Sequence, residues 1–311
     1  MKRAVLCIAH KSPEQLNVLI KQFLADAPET DIYFHIDKKA EKIKADIMKH
    51  PRVFFIQNSH SITWGDDSTV RMLVDAFSEI VSQGKQYDYF QICTGQDLMV
   101  RPGLDRFLEE HRGKIYADIG RLPRMRYYLL YKFPKFLCKD ISHSFFLRNL
   151  NRAYTLLAIL GLAPKKEVHY DIKNMEVYYS FNWSFMPYEV LCYIDHFLKS
   201  NPTFLDLYWG ARLPEDSFLG TLLMNSPYKE AIDREKVHYE FFGRGIKRCS
   251  HSLTYMSNYP PLIHPPILTE SDIPDIENSG CFMARKFDMA TEPEAVDYFL
   301  KKVTDKESEE K

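Results

Sequence analysis

Glu215 and Asp216 stand side by side after Pro214, where Phe218, Leu222 and Leu223 start a helical pattern. A helix N-terminus favours ionised acids, and a carboxylate facing a cleft can take a proton from a hydroxyl. Acids are also ordinary first-turn residues, so the pair needs company to count as chemistry. Arg285 and Lys286 could clamp a diphosphate, because both cations stabilise negative charge on phosphoryl oxygens. Asp37 could accept a hydrogen bond from a nucleoside, and His10 could line the same pocket. No Gly-x-Gly-x-x-Gly and no P-loop occur, which counts against dinucleotide and ATP chemistry of the usual kinds. No Asp-x-Asp triplet occurs either. Many enzymes that use nucleotide-sugars hold a divalent metal with that triplet, and the metal neutralises the leaving diphosphate. A side-chain cation must replace it if such a donor is used here. Lys286 is the natural candidate, with Arg248 or His251 as the second.

The elements that must position these residues are legible as apolar runs. Ala4 to Ile8 ends in Ala9-His10-Lys11, and Ile32 to Ile36 ends in Asp37-Lys38-Lys39. Val53 to Ile56 leads to a polar stretch that contains Trp64, Gly65, Asp66 and Asp67. Tyr87 to Cys93 ends in Thr94-Gly95-Gln96-Asp97. Helical spacing lies between them. Ser12 and Pro13 open one helix, Ala40 to Lys49 suits a second, Ser68 begins a third and Pro102 a fourth. Further strands are expected at 116–119 and 177–184, with a helix at 188–198. Alternating strands and helices predict an α/β fold with a mostly parallel sheet. In such a sheet the carboxyl ends of the strands open onto one crevice, where ligands bind.

The chain has 311 residues, 45% of them hydrophobic, enough for one large α/β domain or two small ones. Its net charge of −1 gives no global field toward nucleic acid, so no nucleic-acid partner is expected. Six scattered cysteines without a Cys-x-x-Cys pair fit a reducing compartment better than a disulfide framework or zinc site. No signal-peptide pattern and no run of about 18 apolar residues is seen, so a cytoplasmic protein without a membrane span is expected. Composition shifts from Arg121 to Lys166, which holds ten Lys or Arg, one acid (Asp140) and eight aromatics. That mixture suits either an anionic membrane surface or an ordinary basic insertion. Composition thus divides the chain into segments 1–120, 121–170 and 171–300 of one domain; if the candidate residues above act as described, the first is expected to bind the nucleotide and the third to carry the catalysis and the acceptor.

Taken together, these segments resemble the core-2/I-branching β-1,6-N-acetylglucosaminyltransferase family, which includes the peptide O-xylosyltransferases. The resemblance rests on Ala9-His10-Lys11, Ile32 to Lys39, Trp64-Gly65, Tyr89 to Asp97, Pro214 to Phe218, and Ala284 to Asp288. The six matches run in family order over nearly the whole chain. They imply a GT-A fold of Rossmann type and an inverting, metal-independent transfer from a UDP-sugar, with N-acetylglucosamine or xylose as the leading donor sugars. The family's catalytic base falls by position on Asp216, with Glu215 in the place of the preceding Asp. The order of the two acids is swapped, so Asp216 is favoured only a little over Glu215. The diphosphate-binding Lys falls on Lys286, and the diphosphate-binding Arg on Arg248 or His251. The resemblance places His10, Asp37, Trp64, Gly65 and Asp97 near the UDP-sugar, and Arg124 and Arg126 near the acceptor.

Shorter, bacterial-type members of the family are the nearest in form. The resemblance therefore implies surface-polysaccharide synthesis on a glycan or lipid-linked acceptor at the cytoplasmic face of a membrane. The competing reading is a non-catalytic protein of the same fold that binds a nucleotide-sugar or a membrane surface.

Overall fold

Continuous apolar runs form strands buried on both faces, as a sheet covered by helices on each side requires. The computed structural model describes residues 1–121, 131–138, 144–166, 175–233, 253–257 and 265–305. The first half holds β1 (Arg3–Ala9), α1 (Pro13–Asp26), β2 (Asp31–Ile36), β3 (Val53–Phe55), α2 (Ser68–Ser82), β4 (Tyr89–Thr94), β5 (Asp97–Met99), α3 (Leu104–Glu110) and β6 (Tyr116–Arg121). The second holds α4 (Lys135–Cys138), α5 (Phe145–Ile159), β7 (Tyr178–Pro187), α6 (Tyr188–Ser200), α7 (Glu215–Met224), β8 (Thr254–Met256), α8 (Ile273–Asn278), β9 (Met283–Arg285) and α9 (Pro293–Thr304).

A six-stranded sheet runs β3-β2-β1-β4-β7-β6, and β7 alone lies antiparallel to its neighbours. The protein is therefore mixed α/β with a mostly parallel sheet between helices. Alternation along β1 assigns the two cores. Ala4 and Leu6 face α2, α6 and α7, whereas Val5, Cys7 and Ala9 face α1 and α9. A small second sheet, β5-β9-β8, lies on the α1 and α9 side. Among the described residues no helix is long and apolar enough to cross a membrane.

Two local expectations are corrected. The segment expected as a helix from Ala40 to Lys49 is a 3-10 segment, Lys38–Asp46, with no buried residue. It is rich in helix formers but buries no face, and packing of an apolar face supplies most helical stability. Ser12 does not cap α1 with its side chain. Its φ of 56° is left-handed, outside the extended conformation that a capping residue needs, while Pro13 takes the first turn as expected.

Candidate active site

The carboxyl ends of β1 and β2 are tied together before any ligand is considered. The Asp37 N–H donates to the Ala9 carbonyl at 2.9 Å. The Asp37 carboxylate accepts from the Lys39 N–H at 2.8 Å and the Ile62 N–H at 3.2 Å. It thereby fixes the loop that carries Trp64 and Gly65, and it retains acceptor sites, since an ionised carboxylate offers about four. His10 is exposed just beyond β1. Its pKa is lowered, first by the protein packed around its inner side and then by the charge of Lys11, with Lys39 and Lys286 adding to the effect and Asp37 opposing it. His10, Asp37 and Lys286 therefore share one electrostatic neighbourhood.

The same loop is held from below by a residue that sequence reasoning passed over. His35 is fully buried in β2, and burial followed by the proximity of His60 lowers its pKa to about 4. The neutral ring accepts the His60 N–H on Nε2 at 2.9 Å, and His60 in turn meets Asp75 of α2 at 2.7 Å. A histidine inside an otherwise apolar strand was the available signal.

Farther along the loop, Gly65 has φ 87°, and a Cβ there would come within 2.9 Å of the Cys138 carbonyl. Only glycine fits both the conformation and the contact. The Leu213 N–H donates to the Gly65 carbonyl at 2.9 Å, which brings the start of α7 against the loop. The Arg212 guanidinium lies 5.7 Å from the centre of the Trp64 ring and donates to the Leu137 carbonyl at 2.8 Å. Glu215 follows at the first turn of α7. Its Oε2 is buried and has no hydrogen-bond partner. Burial, then the neighbouring Asp216 charge and that of Asp66, push its pKa up to about 8, and Arg212 only partly offsets them. Asp216 is half-buried beside it, its N–H bonded to the Leu213 carbonyl at 3.2 Å.

Lys286 reaches the crevice because the C-terminal segment is clamped there. Two buried glutamines on α1, seven residues apart on one face, do much of this. Gln22 bonds the Met99 and Phe299 carbonyls and accepts from the Met99 N–H. Gln15 bonds the Gly95 and Phe287 carbonyls and accepts from the Met289 N–H at 2.9 Å. The Phe287 N–H donates to the Gln96 carbonyl, and Lys11 pairs with Asp288 at 2.7 Å. Among the described residues the Lys286 ammonium has no hydrogen bond or ion pair. Burial, then the Arg285 charge, lower its pKa to about 8.

Arg285 and Asp97 take roles different from those expected. Arg285 is buried, pairs with Asp97 at 3.5 Å and stacks 3.7 Å from the Trp183 ring centre. Asp97 has no exposed surface, and its carboxylate accepts from the Thr94 N–H, the Thr94 hydroxyl and the Trp183 indole. Both are committed to holding the β4 turn and β9 together, so Asp97 has no exposed surface to offer a ligand, and of the Arg-Lys pair Lys286 is the partly exposed cation near His10. Arg124, Arg126, Arg248 and His251 lie outside the described residues. Arg212, beside Trp64 and Glu215, was not anticipated, since a lone arginine two residues before a proline carries no spacing signal. Among the described residues no group of three or more His, Cys, Asp or Glu is placed to hold a metal ion.

No protein-family model matches this chain, and no curated protein matches it.

Proposed function

We propose that the protein is an inverting glycosyltransferase of GT-A type that transfers a sugar from a UDP-sugar to an acceptor hydroxyl without a metal. The observation that supports this reading is a pair of charged groups flanking one loop, an ammonium with no hydrogen bond or ion pair among the described residues and a carboxyl with one partnerless oxygen. Lys286 and Asp37 both act on His10, and the Asp37 carboxylate binds the loop at Ile62. Glu215 lies at the other end of the loop, beside Asp66. A cation without a partner suits a diphosphate, and a carboxyl with a raised pKa suits proton abstraction near neutral pH.

In the proposed step the acceptor oxygen attacks the anomeric carbon and forms the new C–O bond. The bond from that carbon to the diphosphate oxygen breaks on the opposite side, and its electron pair leaves with UDP. Lys286 stabilises the charge that develops there. The acceptor proton passes to the Glu215–Asp216 pair. Glu215 is the member we assign as base, because its buried oxygen has no partner and the charge of Asp216 increases its basicity. Asp37 holds the loop and offers its remaining acceptor sites to the nucleoside.

The test is UDP release from UDP-N-acetylglucosamine and UDP-xylose in the presence of a saccharide acceptor and EDTA. Acceptor-dependent release that persists in EDTA is expected. UDP binding without release, under every donor and acceptor tried, would favour a binding protein instead. Activity that requires added manganese would overturn the metal-free step.

A further inference from the structure

Helix α5 carries the most exposed of the large apolar side chains among the described residues: Phe145 is 75% and Phe146 72% exposed. One stripe of the helix is accounted for. Asn151, Tyr154 and Ala158 pack toward Tyr131, Phe133, Leu137 and Cys138 in a small core of their own. Among the described residues no protein packs against the other side. At about 100° per residue, Phe145, Phe146, Leu150, Leu156, Leu157 and Leu160 fall within an outward arc of roughly 140°. Arg148 and Arg152 lie to one side of this arc, and Lys132, Lys135 and Lys165 are exposed elsewhere in the same segment. The whole stretch from 121 to 166 contains a single acid, Asp140.

We propose that α5 docks this protein on an anionic phospholipid bilayer, lying in the plane of the headgroups with its apolar arc in the acyl boundary. A 15-residue helix is about 22 Å long, too short to span the roughly 30 Å hydrocarbon layer but well suited to lie along it. The basic flank selects the occupant. Anionic headgroups satisfy Arg148 and Arg152, whereas a second copy packed through the same face would bring like charges together.

The docked helix is mechanically close to the crevice. The Leu137 carbonyl accepts both from Asn151 of α5 at 2.9 Å and from Arg212 at 2.8 Å. The Cys138 carbonyl closes on Gly65, and Lys166 ties the end of the insertion to the Leu207 carbonyl at 2.8 Å. The inner face of α5 is thus linked through the 131–138 segment to the Trp64–Glu215 loop, while its apolar arc faces the opposite way. The docking itself needs no catalysis and stands apart from the proposed transfer.

Flotation of the full chain with vesicles tests it directly. Vesicles of phosphatidylcholine alone and of phosphatidylcholine with phosphatidylglycerol are compared at low and high salt. The parent should float with the anionic vesicles at low salt and largely leave them at high salt. Phe145→Ser, Phe146→Ser and Leu157→Ser combined should lower partitioning more than about tenfold. Arg148→Glu with Arg152→Glu should lower it by at least about fivefold for each residue, on anionic vesicles only. All five positions are solvent-facing, so thermal melting should match the parent and separate lost docking from lost folding. Absence of vesicle binding, salt-independent binding equal on both lipids, or variants that float like the parent would each overturn the proposal. So would a dimer that the serine variant dissolves while lipid binding stays unchanged, because that would identify a second copy as the occupant.

Discussion

Two charged clusters lie at opposite ends of β2, and they are built on opposite rules. At its start, Asp31 is almost fully buried but surrounded by Arg52 at 2.9 Å, Lys85 at 2.9 Å and the Tyr87 hydroxyl at 2.7 Å. Burial alone would raise its pKa, yet the hydrogen bonds from Lys85, Tyr87 and Arg52 hold it below the ordinary carboxylate range. Beyond the end of β2, Lys286 and Glu215 are also partly withdrawn from water; among the described residues the Lys286 ammonium has no hydrogen bond or ion pair and the Glu215 Oε2 has no hydrogen-bond partner, and each group has a pKa moved to about 8. The first cluster spends its charge on the fold. The second leaves charge uncompensated, a cost that folded proteins tolerate where a ligand or reaction will use it.

The comparison is broken most severely at Glu215. Glu215→Gln keeps size and removes basicity, so transfer should fall about 10²–10⁴-fold, with UDP affinity nearly unchanged. The same substitution has a stability signature. Folded Glu215 stays protonated up to about pH 8, whereas the unfolded side chain ionises near its usual value. The folded state therefore holds the extra proton between those values, and this group's contribution to stability declines as pH rises through that window. Glu215→Gln should accordingly gain thermal stability relative to the parent between about pH 5 and pH 8. A transfer rate within tenfold of the parent would remove Glu215 from the mechanism.

The satisfied cluster should respond in the opposite sense. Asp31→Ala should cost roughly 2–3 kcal/mol in denaturant unfolding, a figure discounted because Arg52 and Lys85 are about a third exposed. Its UDP affinity should equal that of the parent. Lost UDP binding in a variant that still unfolds cooperatively would mean that the two ends are not separable.

Asp216 gives the finest distinction. Its charge is the second cause, after burial, of the raised Glu215 pKa. Asp216→Asn should move the acidic limb of the kcat/KM profile from about 8 to lower pH, by about one unit or less, while transfer survives. If Asp216→Asn abolishes transfer and Glu215→Gln merely shifts the limb, the roles are reversed and Asp216, the residue favoured by motif position, is the base.

Much of the frame was legible because its signals are local. The runs at 4–8, 32–36 and 87–93 are long enough to read as strands, and they became β1, β2 and β4, the last starting at Tyr89, with polar punctuation at their ends. The second sheet was not legible, because β5, β8 and β9 have three residues each and three residues show no period. Gln15 and Gln22 interrupt the apolar side of α1 and read as flaws in a helix pattern. Their partners lie between 77 and 277 residues away, so only tertiary structure reveals them as the clamps that position the segment carrying Lys286. Sequence position singled out Lys286 of the adjacent Arg285 and Lys286, but nothing in the sequence showed that Arg285, the last residue of β9, would be buried against Asp97 and Trp183.

The central claim is that Lys286 is left unpaired in order to meet a diphosphate, and titration calorimetry with UDP and with uridine tests it most directly. Lys286→Ala should weaken UDP by about 10- to 100-fold, the worth of one charge-assisted hydrogen bond, and leave uridine unchanged. In the parent, UDP affinity should fall as pH rises through about 8, because the bound anion favours the protonated amine. Lys286→Ala should flatten that dependence. UDP and uridine weakened equally by the substitution, or a parent affinity indifferent to pH across that range, would contradict the account.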